Sequence, residues 1–193
     1  DAQSDVKIIT IAPALAIGGQ YGVGIGAAIT HLMDTTQAVI GDFKGRVPIP
    51  GFGEGTLTGT VTVGGALSLY ARSTPEIWTI GASAGIAAGG TDNGGTEGGM
   101  TSTESGQKFG LGFSGSVAFN WIEQNTQAAI RDKVTVDVAG QLSLEAYSNP
   151  LLIAGAGGFA YGNDWGIGGA YAHNTLHQTT RAYVENATVN SGT

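Results

Sequence analysis

The chain contains no cysteine, so it has no disulfide, no thiolate metal site and no cysteine nucleophile. Charged residues make up only 12% of its 193 residues, about half the usual share, and they give a formal net charge of −7. That balance argues against nucleic-acid binding, which needs clusters of Lys and Arg to neutralise phosphates. No apolar run approaches the roughly 20 residues that a membrane helix requires.

Glycine, by contrast, is abundant, with 34 of 193 residues, more than double its usual share of about 7%. The glycines follow no G-x-y period, which excludes collagen. Hydrophobic residues make up 41% of the chain, and that content argues against disorder. Because each glycine disfavours a helix by about 1 kcal/mol relative to alanine, we expect strands throughout.

One segment occurs three times. The copies read YGVGIGAAITHLMDTTQAVIGD (21–42), FGLGFSGSVAFNWIEQNTQAAIRD (109–132) and WGIGGAYAHNTLHQTTRAYVEN (165–186). Large apolar residues alternate with glycine or alanine at a period of two, which is the period of a β-strand. Self-similarity on this scale indicates a stacked repeat architecture.

Aligning the copies gives a 54-residue unit of four strand-like segments, the separation of Thr126 from Thr180. The chain then forms a single domain of about 2.7 repeats, with unit 1 at about 8–75, unit 2 at about 76–150 and a truncated unit 3 at 151–193. Insertions at 43–57 and 89–108, with two small slips, account for the longer first interval. The landmarks predicted to be equivalent are Thr36, Thr126 and Thr180, and likewise Tyr21, Phe109 and Trp165.

This pattern predicts an all-β fold, a right-handed parallel β-helix (β-solenoid) with Val, Ile and Leu inside. The Gly, Ala, Ser and Thr faces should point outward or pack tightly. Because 54 residues exceed an ordinary coil, we expect two or three coils per unit and seven or eight in the chain. The alternative fold is an antiparallel β-barrel, since outer-membrane strands also alternate.

Three segments carry a family resemblance: the G-x-G-x-S strand Gly110–Ser116, the stretch Asn120–Asp132 ending in T-x-A-x-I-x-D, and the V-x-V-rich stretch 134–148. They resemble the repeats of large secreted filamentous-haemagglutinin-like and leukotoxin-type bacterial adhesins. The resemblance covers nearly the whole chain apart from the two insertions. It implies a β-helical rod, located outside the cell at the bacterial surface.

Few residues qualify as a site. Asp92, Asn93 and Glu97 lie in a glycine-rich loop and are weak calcium candidates, because their oxygens suit a hard cation. His31, His173 and His177 occupy non-equivalent positions of the repeat and do not form a repeated ligand set. No catalytic set, cofactor site or other metal site is expected.

The expected function is therefore that of a non-catalytic structural or adhesive rod segment of a secreted bacterial surface or filament-forming protein. Its expected partners are neighbouring repeats of the same or identical chains, end to end, and a host or matrix receptor. An outer-membrane β-barrel and a carbohydrate-binding β-helix are the alternatives. In the latter, the rings of Tyr21, Phe109 and Trp165 would form an exposed stacking stripe instead of a buried ladder.

Overall fold

In the computed structural model, the chain is described over residues 1–41, 59–88 and 110–192. Every regular element in these ranges is a β-strand, and no helix there is long and apolar enough to cross a membrane. The twelve strands are β1 Ala2–Ser4, β2 Lys7–Gly18, β3 Tyr21–Gly41, β4 Thr60–Val63, β5 Leu67–Ser73, β6 Glu76–Ala87, β7 Leu111–Arg131, β8 Thr135–Val138, β9 Leu142–Ser148, β10 Leu151–Gly162, β11 Trp165–Glu185 and β12 Thr188–Ser191.

The strands form four three-stranded sheets: sheet A (β1-β5-β9), sheet B (β10-β6-β2), sheet C (β11-β7-β3) and sheet D (β12-β8-β4). One coil takes a strand from each sheet in turn, so the coils are β1–β4, β5–β8 and β9–β12. All strand pairs in the described ranges are parallel. The predicted parallel β-solenoid is confirmed, and the antiparallel β-barrel alternative is wrong, since each sheet ends in two edge strands.

Each 54-residue unit forms one large coil, so the expectation of seven or eight coils is wrong for the described residues, which form three. The reason is the length of the sheet C strands. β3 has 21 residues and packs against both β1 and β2. A single coil therefore runs out along sheets A and B, returns along sheet C and closes through sheet D.

The register fixes which residues are equivalent. Thr36 pairs with Thr126, and Thr126 with Thr180, as the spacing predicts. Tyr21 and Trp165 both pair with Leu111, which corrects the predicted equivalence with Phe109. A two-residue shift preserves the alternation of large and small residues, so the pattern alone could not exclude it. Phe109 and both insertions, 43–57 and 89–108, lie outside the described residues.

Sheets B and C pack face to face with their small residues inside, which reverses the predicted arrangement of Val, Ile and Leu inside. In β3 the residues from Gly22 to Thr30 at every second position are buried, whereas Ile25 is 73% exposed. β2 follows the same rule, with Ile9, Ile11, Leu15 and Ile17 all pointing to solvent. Apart from inward residues such as the fully buried Ile77 and Ile122, the large apolar residues in this part of the two sheets therefore form the outer faces of the coil.

Close approach between the sheets explains this reversal. A Cβ on Gly22 or on Gly24 would lie 2.2 Å from the carbonyl oxygen of Ile86 or Ala84, respectively. Real Cβ atoms do not approach a backbone oxygen so closely, so only glycine allows this spacing. The inner glycines thus set the thickness of the B–C layer.

The expected large-residue core exists at the other end of the coil, where sheets A, C and D meet. Its buried members are Ala38, Leu69, Ala71, Ala128, Ile130, Val134, Val136 and Val138. The strands enter sheet D through turns with left-handed backbone, at Asp132 and Lys133 (φ 62° for each) and at Asn186 (φ 49°). Asp and Asn tolerate this conformation better than most residues, which explains why the second and third copies of the repeated segment close on Asp132 and Asn186.

Candidate functional site

A ladder of hydrogen-bonded side chains runs through the B–C layer, along the direction in which the coils stack. The Oγ1 atoms of Thr10 and Thr30 lie 2.8 Å apart, and those of Thr30 and Thr79 lie 2.7 Å apart. Thr79 donates to the Asn120 side-chain oxygen. Asn120 in turn donates to Asn174 Oδ1 over 2.8 Å and to the Ile153 carbonyl oxygen over 3.2 Å.

The inner ladder links all three coils, because Thr10 and Thr30 belong to the first coil, Thr79 and Asn120 to the second, and Asn174 to the third. Thr79 is fully buried and Asn120 is 1% exposed. Buried polar groups of this kind are stable only when every member has its partner. The ladder therefore favours the observed register over shifted ones.

A second polar row lies between sheets A and C. Ser4 donates to Asp34 Oδ1 over 3.0 Å, and Ser73 donates to Asp34 Oδ2. Ser4 and Ser73 are paired across sheet A, and Ser148 continues their column. Asp34 thus joins the first coil to the second, as the inner ladder does at Thr30, four residues earlier in β3.

The outer face of sheet C is a continuous apolar surface made of six register columns. They are Tyr21–Leu111–Trp165, Val23–Phe113–Ile167, Ile25–Gly115–Gly169, Ala27–Val117–Tyr171, Ile29–Phe119–His173 and His31–Trp121–Thr175. No Asp, Glu, Lys or Arg occupies any of these positions. Beyond them, towards the end of the strands, the next column is Met33–Glu123–His177, and the one after it is the polar column Thr35–Asn125–Thr179.

A shallow groove of about 360 Å³ crosses this face along the stacking direction. Its floor includes Gly115 and Gly169, where an added Cβ would meet nothing within 4 Å. Tyr171 forms part of its wall. The groove can receive a bulky apolar group, but it offers almost no hydrogen-bonding partner for a polar ligand.

The three histidines lie on sheet C and contact aromatic rings. His31 and His177 flank Trp121, with ring centroids 6.5 Å and 6.2 Å from it. His173 stacks on Tyr171 at 6.1 Å. As predicted, their register positions differ. His31 pairs with Trp121, His173 with Phe119 and His177 with Glu123. Their environment is that of an aromatic surface cluster.

The outer face of sheet B carries a charged contact between Lys7 and Glu76. Lys7 Nζ lies 3.2 Å from Glu76 Oε2, and the Trp78 indole N–H donates to Glu76 Oε1 over 2.7 Å. The Trp78 hydrogen bond, followed by that of Lys7, lowers the pKa of the Glu76 carboxyl below its ordinary value of 4.5. This contact lies where the apolar part of sheet B begins.

The weak calcium candidates Asp92, Asn93 and Glu97 lie outside the described residues. Within 1–41, 59–88 and 110–192, no three His, Cys, Asp or Glu side chains come close enough to hold a metal ion. The described polar groups instead form rows that follow the stacking direction. Such an arrangement can specify register and assembly.

Comparison of the chain with protein-family models, with curated proteins and with solved structures gives no match. The resemblance to filamentous-haemagglutinin-like repeats therefore rests on the residues of the sequence itself.

Sequence reasoning missed the inner ladder and the outer apolar face. A signal for the ladder was present, because Thr10 and Thr79 occupy the same place in the matched segments IITIA and IWTIG. A polar residue recurring at one inward position of a buried strand is a candidate for hydrogen bonding between coils. The outer face gave no comparable signal, since a period of two shows two faces without saying which is inside.

Proposed function

We propose that this chain is a non-catalytic structural segment of a secreted bacterial surface or filament-forming protein, in which coils of the same kind stack end to end. The observation that carries the proposal is the difference between the two ends of sheet C. Gly26 and Thr30 of β3 are buried, whereas their equivalents in the third coil, Ala170 and Asn174, are exposed.

This difference follows from how the layers interleave. A Cβ on Gly26 would touch the carbonyl oxygens of both Ala12 and Ala82, so β3 lies between two strands of sheet B. β11, by contrast, packs against β10 alone among the sheet B strands. A further strand of sheet B, placed beside β10, would complete the cover of β11. β2 is a strand of this kind, and it is the free edge of sheet B at the opposite end of the stack.

The inner ladder is open at the same end. Asn174 accepts a hydrogen bond from Asn120, and its own side-chain nitrogen has no partner among the described residues. A threonine placed like Thr10 in the next coil would supply one. Exposed parallel edges also provide a row of backbone N–H and C=O groups that readily accept another strand.

Sedimentation velocity over a range of concentrations tests this proposal. The chain should form an open series of oligomers, and Ala170→Lys should suppress it, because the charge would be buried without a partner in the joint. Thr35→Lys adds the same charge on the exposed polar part of sheet C and serves as the control. A chain that stays monomeric at every concentration, or stacks equally well with Ala170→Lys, would refute end-to-end assembly.

A carbohydrate-binding role is the second candidate, supported by the exposure of the rings of Tyr21 (62%) and Trp165 (64%) on the same face. Exposed aromatic rings can stack on sugar rings, but sugars also need hydrogen-bonding partners, which the neighbouring columns largely lack. Titration of Trp fluorescence with bacterial and host polysaccharides tests it. A saturable change lost in Trp165→Ala would support this role, and no response would refute it.

A further inference from the structure

The outer face of sheet C exposes a broad apolar surface that the end-to-end stacking proposed above leaves uncovered. Its six columns span about 33 Å along the strands, at about 3.3 Å per residue, and about 14 Å across three strands. Covering it from both sides would bury about 900 Å², which is close to the lower size limit of about 1,000 Å² for a specific interface. Because these columns contain no Asp, Glu, Lys or Arg, covering them would desolvate no carboxylate, ammonium or guanidinium group.

Two adjacent columns of this face are complementary in size in every coil. The outward pairs at these positions are Ile25 with Ala27, Gly115 with Val117, and Gly169 with Tyr171. In the first coil the larger residue comes first, and in the other two it comes second. Each coil therefore offers one bulky and one small side chain, side by side on the same face.

We infer that the outer face of sheet C binds a second copy of this chain, related by a two-fold axis that runs parallel to the stacking direction between these two columns. Such an axis keeps coils at the same height and reverses the strand direction. Tyr171 of one copy then enters the groove above Gly169 of the other. Val117 meets Gly115 and Ile25 meets Ala27 in the same way.

The neighbouring columns fit the same axis. On moving outward from it, Phe113 faces Phe119 of the other copy, and Leu111 faces Trp121. In the second coil these contacts join apolar groups to apolar groups, as suits face-to-face sheets separated by about 10 Å. An isologous contact of this type closes at two copies, in contrast to the open series produced by end-to-end stacking.

A size swap at one coil tests the pairing. Sedimentation in the Ala170→Lys background, which is designed to suppress stacking, should show a dimer. Gly169→Tyr should raise its dissociation constant about tenfold or more, because two bulky rings would then compete for one site. The double variant Gly169→Tyr, Tyr171→Gly restores one large and one small residue and should recover the dimer. Thr35→Tyr places the same ring outside the interface and is the control.

Cysteine cross-linking tests the axis itself, since the chain has no cysteine of its own. A chain carrying Ile25→Cys mixed with one carrying Ala27→Cys should cross-link much faster than either variant alone. End-to-end stacking would instead place the first coil of one chain against the third coil of another. It would therefore give no such preference.

Three results would overturn the inference: a monomer at all concentrations, a dimer unaffected by Gly169→Tyr, or equal cross-linking in mixed and unmixed samples. Binding of a monomeric wild-type chain to phosphatidylcholine vesicles, abolished by Ile167→Lys, would assign the surface to lipid and would also overturn it. Circular dichroism and thermal unfolding of each variant establish that the fold is retained.

Discussion

A Cβ added to Gly112 would lie 2.2 Å from the carbonyl oxygen of Tyr161, in the strand of sheet B that faces it. Gly115, three residues along the same strand, faces outward, and a Cβ there meets nothing within 4 Å. The same residue type therefore serves two opposite purposes within one strand. On the inside it permits close packing of the sheets, and on the outside it forms the floor of a groove.

Gly112→Ala should destabilise the chain by about 1–3 kcal/mol, because the added methyl group must push two backbones apart. Gly115→Ala, the matched control, should leave stability unchanged or raise it by a few tenths of a kcal/mol, since alanine restricts the unfolded chain. Urea unfolding monitored by circular dichroism measures both. Equal effects of the two substitutions would contradict the close packing of sheets B and C.

Thr79→Val should remove the centre of the inner ladder without changing the shape of the side chain. Thr30 and Asn120 would each lose a buried partner, at a cost of about 1–3 kcal/mol. Thr10→Val, at the partly exposed end of the ladder, should cost less, because water can replace the lost contact. Chemical unfolding measures the stability of both variants, and a Thr79→Val chain as stable as the wild type would show that the ladder contributes no stability.

The pKa of Glu76 is lowered first by the Trp78 hydrogen bond and then by Lys7, so Trp78→Phe should raise that pKa towards 4.5 and Lys7→Gln should raise it too. A lowered folded-state pKa means that the contact stabilises the fold above the ordinary pKa of glutamate. That contribution disappears as the pH falls through the lowered value. Carboxyl carbon chemical shifts followed by NMR during a pH titration report it directly. A pKa unmoved by Trp78→Phe would contradict the assigned cause.

Much of the fold follows from the alternation of residues and from the repeat. The period of two predicts strands, the repeat predicts a solenoid, and the spacing of Thr36, Thr126 and Thr180 aligns with the observed register. The coil size was not predictable in the same way. Four strand segments per unit fit several small coils or one large one, and only the packing of β3 against both β1 and β2 decides between them.

The orientation of the strands was also beyond reach of the pattern. Burial of large apolar residues is the usual expectation, and it holds where Val136 and Ile130 fill the core between sheets A, C and D. In the B–C layer the inner glycines fix a spacing too small for such side chains, so Ile25 and its neighbours face outward. Which face is inside depends on sheet separation, a property of two strands that are distant in sequence.

The central structural claim is that each sequence unit makes one coil and that the three coils stack in register. Spin labels at Met33→Cys and His177→Cys test it most directly, because both positions are exposed and lie in one column two coils apart. Dilution with unlabelled chain removes intermolecular contributions. Continuous-wave EPR should show the strong dipolar broadening of backbones separated by about 10 Å, twice the spacing of adjacent strands. A separation of about 20 Å or more, as units of two or three coils each would give, would contradict the account.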